Sequence, residues 1–138
     1  MMRLTEHFDL AELTRSATAA RKGIINVPSQ TAVGNLRNLC QKVLEPLRQH
    51  IGKPITVTSG YRSKELNKAV GGVENSQHLV GEAVDLHIES ERQGREWMAW
   101  IMDNCEFDQL ILEHSSDVVW LHVSCKRNRQ EVKCIRVQ

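Results

Sequence analysis

The segment 75-NSQHLVGEAVDLH-87 decides how the fold is interpreted, because it combines a turn, a strand and two potential metal ligands. Its second half alternates small or apolar residues with Asp85 and His87, which is typical of a half-buried β-strand. His78 and Asp85 are residue types that bind zinc. The segment is therefore either part of a metal site or a loop that enters a strand with Asp85 exposed to solvent.

Small residues between His78 and Asp85 favour the metal site. Gly81 permits a tight turn that brings the backbone close to the metal, and Ala83, on the same strand face as Asp85, leaves room for it. A hydrolytic zinc site needs three protein ligands and one open position. His122 is the candidate third ligand, because a predicted strand would hold it in a fixed position.

The composition predicts a single globular domain that spans residues 1–138. The chain is 41% hydrophobic and 25% charged, and 138 residues are enough for one core. Its formal net charge of +1 gives no strong field, so we expect no nucleic acid partner.

No apolar run is long enough for a signal peptide or a membrane span, so we expect synthesis in the cytoplasm and no membrane insertion. The four cysteines form no C-x-x-C pair and are expected to be reduced thiols, mostly in the core.

Periodicity and turn residues predict an α+β fold. Asp9 and Glu12 have the spacing of a capping box, so a short helix should begin near residue 9 and fade by Gly23. Apolar residues recur at three- and four-residue steps over 33–47, which predicts a longer helix whose last turn is bent or loosened by Pro46. The other predicted elements are strands at 55–58, 82–88, 107–114, 118–125 and 131–137 and helices at 64–70 and 90–105. The sheet should be mostly antiparallel and lie toward the C-terminus.

The hairpin predicted from the strands at 107–114 and 118–125 brings further side chains to the candidate site. A tight turn around 115–117 joins the two strands. If its loop is even-numbered, one sheet face carries Gln109, Ile111, Glu113, Trp120, His122 and Ser124. Glu113 then shares the face of His122, whereas Asp117 lies in the turn, further out.

Three spaced motifs resemble the signature of the zinc D-Ala-D-Ala carboxypeptidase family, which includes L-Ala-D-Glu endopeptidases. The first runs Ser76-x-His78-x-x-Gly81-x-Ala83-x-Asp85, and the second is Trp120-x-His122. The stretch 59-SGYRS-63 resembles the family's upstream arginine motif. The similarity runs from about residue 4 to residue 125, and its beginning resembles the small, single-domain phage and prophage branch. The resemblance implies the hedgehog/D,D-peptidase-like fold, shared with the group that includes lysostaphin-type endopeptidases and the hedgehog signalling domain.

The resemblance also implies roles for individual residues. His78, Asp85 and His122 are expected to bind Zn²⁺, and Arg62 to steady the substrate carbonyl or terminal carboxylate. The family's acidic general base usually lies close before the last histidine, where this sequence has Val, Trp and Leu at positions 119–121. Glu113 and Asp117 are therefore the two candidates, and the shared sheet face favours Glu113.

Several other residues have both a functional and a structural interpretation. Ser76 is expected to support the site by hydrogen bonding, and Tyr61, Trp120 and Ser124 to bind substrate or support the ligands. The structural interpretation of Tyr61, as a turn residue with its ring on the core and its hydroxyl in water, is the more ordinary one. His87 shares the predicted face of Asp85, so it is an alternative metal ligand or supporting residue.

Two segments outside the motifs are interpreted structurally. Trp97 and Trp100 belong to the broad apolar side of the helix at 90–105, which extends to Met102, and are predicted to lie in the core. The basic run 126-KRNRQEVK-133 is predicted to be a solvated turn and an edge strand. Contact between this run and anionic cell-wall polymers is the alternative.

The function implied by the resemblance is zinc-dependent hydrolysis of peptide bonds in peptidoglycan stem peptides. The enzyme is either a D,D-carboxypeptidase or an endopeptidase, and zinc and a glutamate base activate the water. The alternatives are a catalytically inactive zinc module that binds a peptide or protein, and a metal-free binding protein. We expect a monomer that acts on peptidoglycan peptides and that reaches the cell wall by an endolysin-like, phage-type release.

Overall fold

The computed structural model describes residues 2–137, in which a five-stranded sheet packs one face against helices. The helices are α1 Leu10–Thr14, α2 Ala17–Lys22, α3 Gln30–Leu39, α4 Glu45–Ile51, α5 Lys64–Ala69 and α6 Glu91–Asn104. The strands are β1 Arg3–Thr5, β2 Phe8–Asp9, β3 Val57–Ser59, β4 Ala83–His87, β5 Gln109–Ser115, β6 Val118–Ser124 and β7 Glu131–Val137. This arrangement confirms the predicted α+β class.

The N-terminal helical region follows its local capping signals. The Asp9 carboxylate accepts a hydrogen bond from the Glu12 backbone N–H, and the Glu12 carboxylate accepts one from the Asp9 backbone N–H. The predicted capping box is therefore present. Ser16 then caps α2, which ends at Gly23 with a φ of 67°. The single predicted helix is therefore two short helices, because Ser16 is extended and begins a second one.

The long helix contains a wide turn ahead of Pro46. Between α3 and α4, the residues Cys40–Leu44 form a π-helical turn, and the Glu45 N–H bonds to the Cys40 carbonyl. Pro46 lies in the first turn of α4, where a missing N–H costs little. The predicted loosening is present as this wide turn, but it lies before the proline and not at the end of the helix, which continues regularly to Ile51.

The sheet has the strand order β3-β4-β6-β5-β7. Its first three neighbouring pairs are antiparallel, as predicted, and β5 pairs with β7 in parallel. The parallel pair arises because the connection 125–130 crosses the start of β5 and brings β7 to its far edge. None of the helices in the described part of the chain is long and apolar enough to cross a membrane.

The predicted hairpin register is confirmed, and it separates the two faces of the sheet. Gln109 pairs with Ser124, Ile111 with His122, and Glu113 with Trp120. The residues between them point to the helices and are fully buried: Leu110, Leu112, Leu121 and Val123. Burial of each such side chain stabilises the fold by roughly 1.5–3 kcal/mol. The opposite face is left free to carry polar residues.

The remaining packing predictions have mixed outcomes. Trp97 and Trp100 pack against the core, as expected, but Met102 is half exposed and the apolar side of α6 is narrower than predicted. All four cysteines are free thiols. Two of them, Cys40 and Cys125, are buried, whereas Cys105 is partly buried and Cys134 is exposed.

Candidate metal centre and catalytic cleft

Three potential ligands converge on the polar face of the sheet. One donor atom from each of His78, Asp85 and His122 lies within 4.8 Å of the other two. Asp85 Oδ1 is 3.1 Å from His122 Nδ1 and 3.4 Å from His78 Nε2. Asp85 and His122 are register partners on β4 and β6, and His78 comes from the 3₁₀ turn Gln77–Val80. The sheet and one turn therefore assemble the predicted triad.

The orientation of His78 fits a metal ligand. Its Nδ1 lies 2.7 Å from the Gly60 carbonyl, which can only accept a hydrogen bond, so Nδ1 carries a proton and Nε2 faces Asp85 and His122. A backbone carbonyl that orients the second ring nitrogen is common for histidine ligands. Two imidazoles and one carboxylate form a donor set that zinc prefers in hydrolytic sites.

Asp85 is ionised at this site. Burial opposes its charge, but hydrogen bonds from His122 and His78 outweigh that cost and hold the pKa of Asp85 well below its usual range. Arg62 adds a third contact, since its Nη2 lies 3.3 Å from Asp85 Oδ2. The carboxylate is thus ready to bind a cation without first losing a proton.

Arg62 is held on three sides. Besides the bond to Asp85, its Nε donates to the Ser59 hydroxyl at 3.0 Å and its Nη1 donates to Asn67 Oδ1 at 3.1 Å. Burial lowers the pKa of Arg62, the charges of Asp85 and Glu113 oppose that shift, and the guanidinium stays protonated. The predicted site residue Arg62 therefore lines the cleft and also orients Asp85.

Glu113 lies in the same cleft and Asp117 does not. The Trp120 indole N–H donates to Glu113 Oε2 at 2.8 Å. Burial raises the pKa of Glu113, the charge of Asp85 raises it further, and His122 and the Trp120 bond oppose the rise. Asp117 is an exposed residue of the turn between β5 and β6. Of the two candidate bases, the structure brings only Glu113 to the triad.

The cleft has a volume of about 670 Å³. The 3₁₀ turn, the preceding loop 70–76 and strands β4, β5 and β6 form its walls. Its lining includes the triad together with Arg62, Val70, Val73, Ser76, Gln77, Gln109, Ile111, Glu113, Trp120 and Arg129. One wall thus carries apolar valines, and the other carries the strand residues with the polar groups.

The other predicted site residues do not all lie in the cleft. The Ser76 hydroxyl accepts the His78 backbone N–H at 3.1 Å, so it caps the ligand-bearing turn. Ser124 is fully buried, and its hydroxyl accepts the Gln109 N–H. Tyr61 lines a neighbouring cavity of about 270 Å³ and not the cleft. His87 shares the face of Asp85 but is exposed and outside the triad.

The backbone at Gly81 lies close to a different part of the molecule from the one predicted. It has a φ of +77° and ends the 3₁₀ turn, as expected. A Cβ at this position would lie 2.5 Å from the Ala32 carbonyl oxygen of α3. The close backbone approach is therefore to α3 rather than to the metal, because the turn packs directly on that helix.

Sequence reasoning missed a buried polar network beside the triad. Asp108 is fully buried, and its Oδ1 accepts the backbone N–H groups of Arg127 and Arg129 at 2.7 and 3.2 Å. Gln77 donates its amide to Asp108 Oδ2 and to Glu82 Oε1. The position of Asp108 at the start of an apolar strand was the only sequence signal for this network. Its partners lie too far along the chain to be inferred. The predicted solvated turn is exposed, yet this network anchors its backbone.

A second group of potential ligands has a structural explanation. Glu6, His7 and Glu45 also bring donor atoms within 4.8 Å of one another. Glu45 accepts the His7 backbone N–H at 2.8 Å and contacts His7 Nδ1 at 2.6 Å, while Gln49 donates to the same carboxylate. Burial opposes the charge, but the His7 bonds lower the pKa of Glu45 to about 2. The group clasps the N-terminal segment to α4.

Comparison with known proteins agrees with this geometry. The chain is 40% identical over 86 residues to the zinc D-Ala-D-Ala carboxypeptidase of Streptomyces albus G. The aligned part covers 62% of this chain and 32% of the relative, so the chain spans about a third of that protein's length. The family and this relative imply Zn²⁺ as the cofactor, and the triad is a candidate donor set of the kind that zinc prefers. The family model described as peptidase M15 matches residues 6–124, a span that contains His78, Asp85 and His122, and the chain therefore belongs to the peptidase M15 family.

Proposed function

We propose that this protein is a zinc peptidase that hydrolyses peptide bonds in peptidoglycan stem peptides, acting as a D,D-carboxypeptidase or an endopeptidase. The observation that carries the proposal is the convergence of His78, Asp85 and His122 in one open cleft with Glu113. The name of the Streptomyces albus G relative supports a D-Ala-containing substrate. The catalytic unit is the single domain, acting as a monomer.

The metal and the base divide the chemistry between them. Zinc held by His78, Asp85 and His122 would act as a Lewis acid that polarises the scissile carbonyl and acidifies water. Glu113 takes the proton of the attacking water and returns it to the leaving amine. Trp120 fixes Glu113 Oε2, so Oε1 remains available for the proton. The raised pKa of Glu113 makes the carboxylate a stronger base than an exposed glutamate.

Arg62 has two roles in this proposal. Its bond to Asp85 keeps that ligand oriented, in the way that outer-shell partners of metal ligands do. Its positive charge at the cleft wall also favours the negative charge that develops on the substrate oxygen. Both effects depend on the planar guanidinium, which Ser59 and Asn67 hold in place.

The proposal is tested by digestion of purified muropeptides with the zinc-loaded protein, followed by mass analysis of the products. Cleavage is expected for the wild type, and the product masses identify the bond as terminal or internal. Glu113→Gln is the matched control, because it keeps the size of the side chain and removes the base. If the zinc-loaded wild type cleaves no muropeptide and binds them without turnover, the protein is a zinc-containing binding module instead.

A further inference from the structure

Arg129 lies at the opposite end of the cleft from the proposed base. Along β5, the cleft-lining residues are Gln109, Ile111 and Glu113, and Ile111 is the register partner of His122. Gln109 is in register with Glu131, which contacts Arg129. Gln109 and Glu113 are four positions apart on the strand, or about 13 Å. The triad thus lies between Glu113 on one side and Arg129 on the other.

The Arg129 side chain is oriented by its neighbours but has an open edge. Its Nε and Nη2 lie 2.8 and 2.6 Å from Glu131 Oε2, and Gln109 donates to the other Glu131 oxygen at 3.3 Å. Within residues 2–137, Arg129 Nη1 donates no hydrogen bond to a protein acceptor. A guanidinium held along one edge in this way presents its other edge to a carboxylate in bidentate geometry.

The backbone beneath Arg129 is also fixed. Its N–H donates to the buried Asp108, and Gln130 donates to the Phe107 carbonyl at 3.0 Å. Asn128 and Gln130 have φ values of 56° and 57°, which cost roughly 1–2 kcal/mol for a residue such as glutamine. The surrounding bonds offset that cost, so the backbone holds Arg129 at the cleft wall.

Arg129 differs from Arg62 in what it can still bind. The Nε, Nη1 and Nη2 of Arg62 each have a protein acceptor, and Arg62 is largely buried. The Arg129 side chain is 44% exposed and keeps its Nη1 free of protein acceptors in the described chain. If a bound peptide runs from the triad past Gln109, a negative group on that peptide reaches Arg129.

We propose that Arg129 is a specificity-determining residue that binds a carboxylate of the peptide substrate, at the end of the cleft opposite Glu113. This inference rests on the proposed peptidase function and narrows its substrates to peptides that place a carboxylate at this end of the cleft. The carboxylate belongs either to the end of the peptide or to an acidic residue within it. Both sources present the same planar anion, so matched peptides are needed to distinguish a terminal carboxylate from an internal one.

The test uses two pairs of stem-like peptides. One pair differs only in a terminal carboxylate or carboxamide, and the other only in an internal acidic side chain or its amide. Binding is measured by calorimetry on zinc-loaded Glu113→Gln protein, which holds substrate without turnover. The same titrations are done with Arg129→Gln added, and with Arg92→Gln added as a charge-matched control, since Arg92 is an exposed residue of α6 outside the cleft.

The protein with Arg129 intact should bind the carboxylate member of one pair about 10- to 100-fold more tightly, the factor expected for a charge-assisted hydrogen-bonded pair. Arg129→Gln should abolish that preference with the zinc content unchanged, and Arg92→Gln should retain it. The pair that shows the preference identifies the source of the carboxylate. Preference that survives Arg129→Gln, or no preference in either pair, overturns the inference. Failure of the wild type to cleave, with the preference intact, overturns the peptidase proposal alone.

Discussion

The Trp120 indole nitrogen donates to Glu113 Oε2 at 2.8 Å across a register pair of β5 and β6. This bond fixes the rotamer of the proposed base and also stabilises its ionised form. The two residues share one sheet face because the hairpin loop is even-numbered, so backbone pairing determines the position of the carboxylate.

Trp120→Phe should weaken catalysis without affecting the metal. Loss of the indole donor raises the pKa of Glu113, so the acidic limb of the pH–rate profile should move to higher pH. The rate at neutral pH should fall by roughly 10-fold, which is less than the 10²- to 10⁴-fold expected for Glu113→Gln. Steady-state kinetics across pH 5–9 measures both effects. If the indole bond acts through Glu113, Trp120→Phe has no further effect in Glu113→Gln protein.

Arg62→Lys should reduce zinc affinity even though the charge is conserved. Lysine cannot reach Ser59, Asn67 and Asp85 together, so Asp85 loses its fixed orientation. Loss of such a supporting contact typically costs 10- to 100-fold in metal affinity or activity. Competition with a chromophoric chelator measures the zinc dissociation constant. An unchanged constant would mean that Arg62 does not position the ligand.

Gly81→Ala should destabilise the fold, whereas Gly34→Ala should not. A methyl group at position 81 meets the Ala32 carbonyl oxygen and an unfavourable positive φ, so we expect a loss of more than about 1–2 kcal/mol in the free energy of unfolding. Gly34 lies inside α3, and no heavy atom lies within 4 Å of an added Cβ, so alanine there should stabilise by roughly 0.5–1 kcal/mol. Urea denaturation of both variants checks the opposite signs.

The clasp between His7 and Glu45 should make the metal-free protein acid-sensitive. The pKa of Glu45 is about 2 in the folded chain and 4.5 in the absence of contacts. The stabilisation is therefore complete above about pH 5 and is lost as the pH falls toward 2, by at most about 3 kcal/mol. Thermal unfolding between pH 6 and pH 3 should show a flatter pH dependence for Glu45→Gln. Equal slopes for the two proteins would show that the clasp carries no such stability.

Local and periodic signals made much of the fold predictable. The capping box of Asp9 and Glu12 depends on residues three positions apart, and the hairpin register depends only on the two-residue period of a strand. Both predictions were right because all the necessary information lies within a short segment. The triad was found through motif resemblance, and the sheet and the 3₁₀ turn bring its members together.

Predictions failed where the structure depends on distant partners. The contact of Gly81 with α3 follows from packing that no local pattern reveals. Asp108 and Arg129 are informative only once the connection 125–130 is seen to cross the start of β5. A basic run of sequence does not show which of its side chains enters a cleft.

The most direct measurement combines metal content with cleavage before and after chelation. Plasma mass spectrometry should find about one zinc per chain in the wild type and in Glu113→Gln, and none in His122→Ala. Only the wild type should cleave muropeptides, and chelation should abolish cleavage until zinc is restored. Muropeptide cleavage by zinc-free protein, or by zinc-free His122→Ala, would contradict a zinc peptidase built on His78, Asp85 and His122.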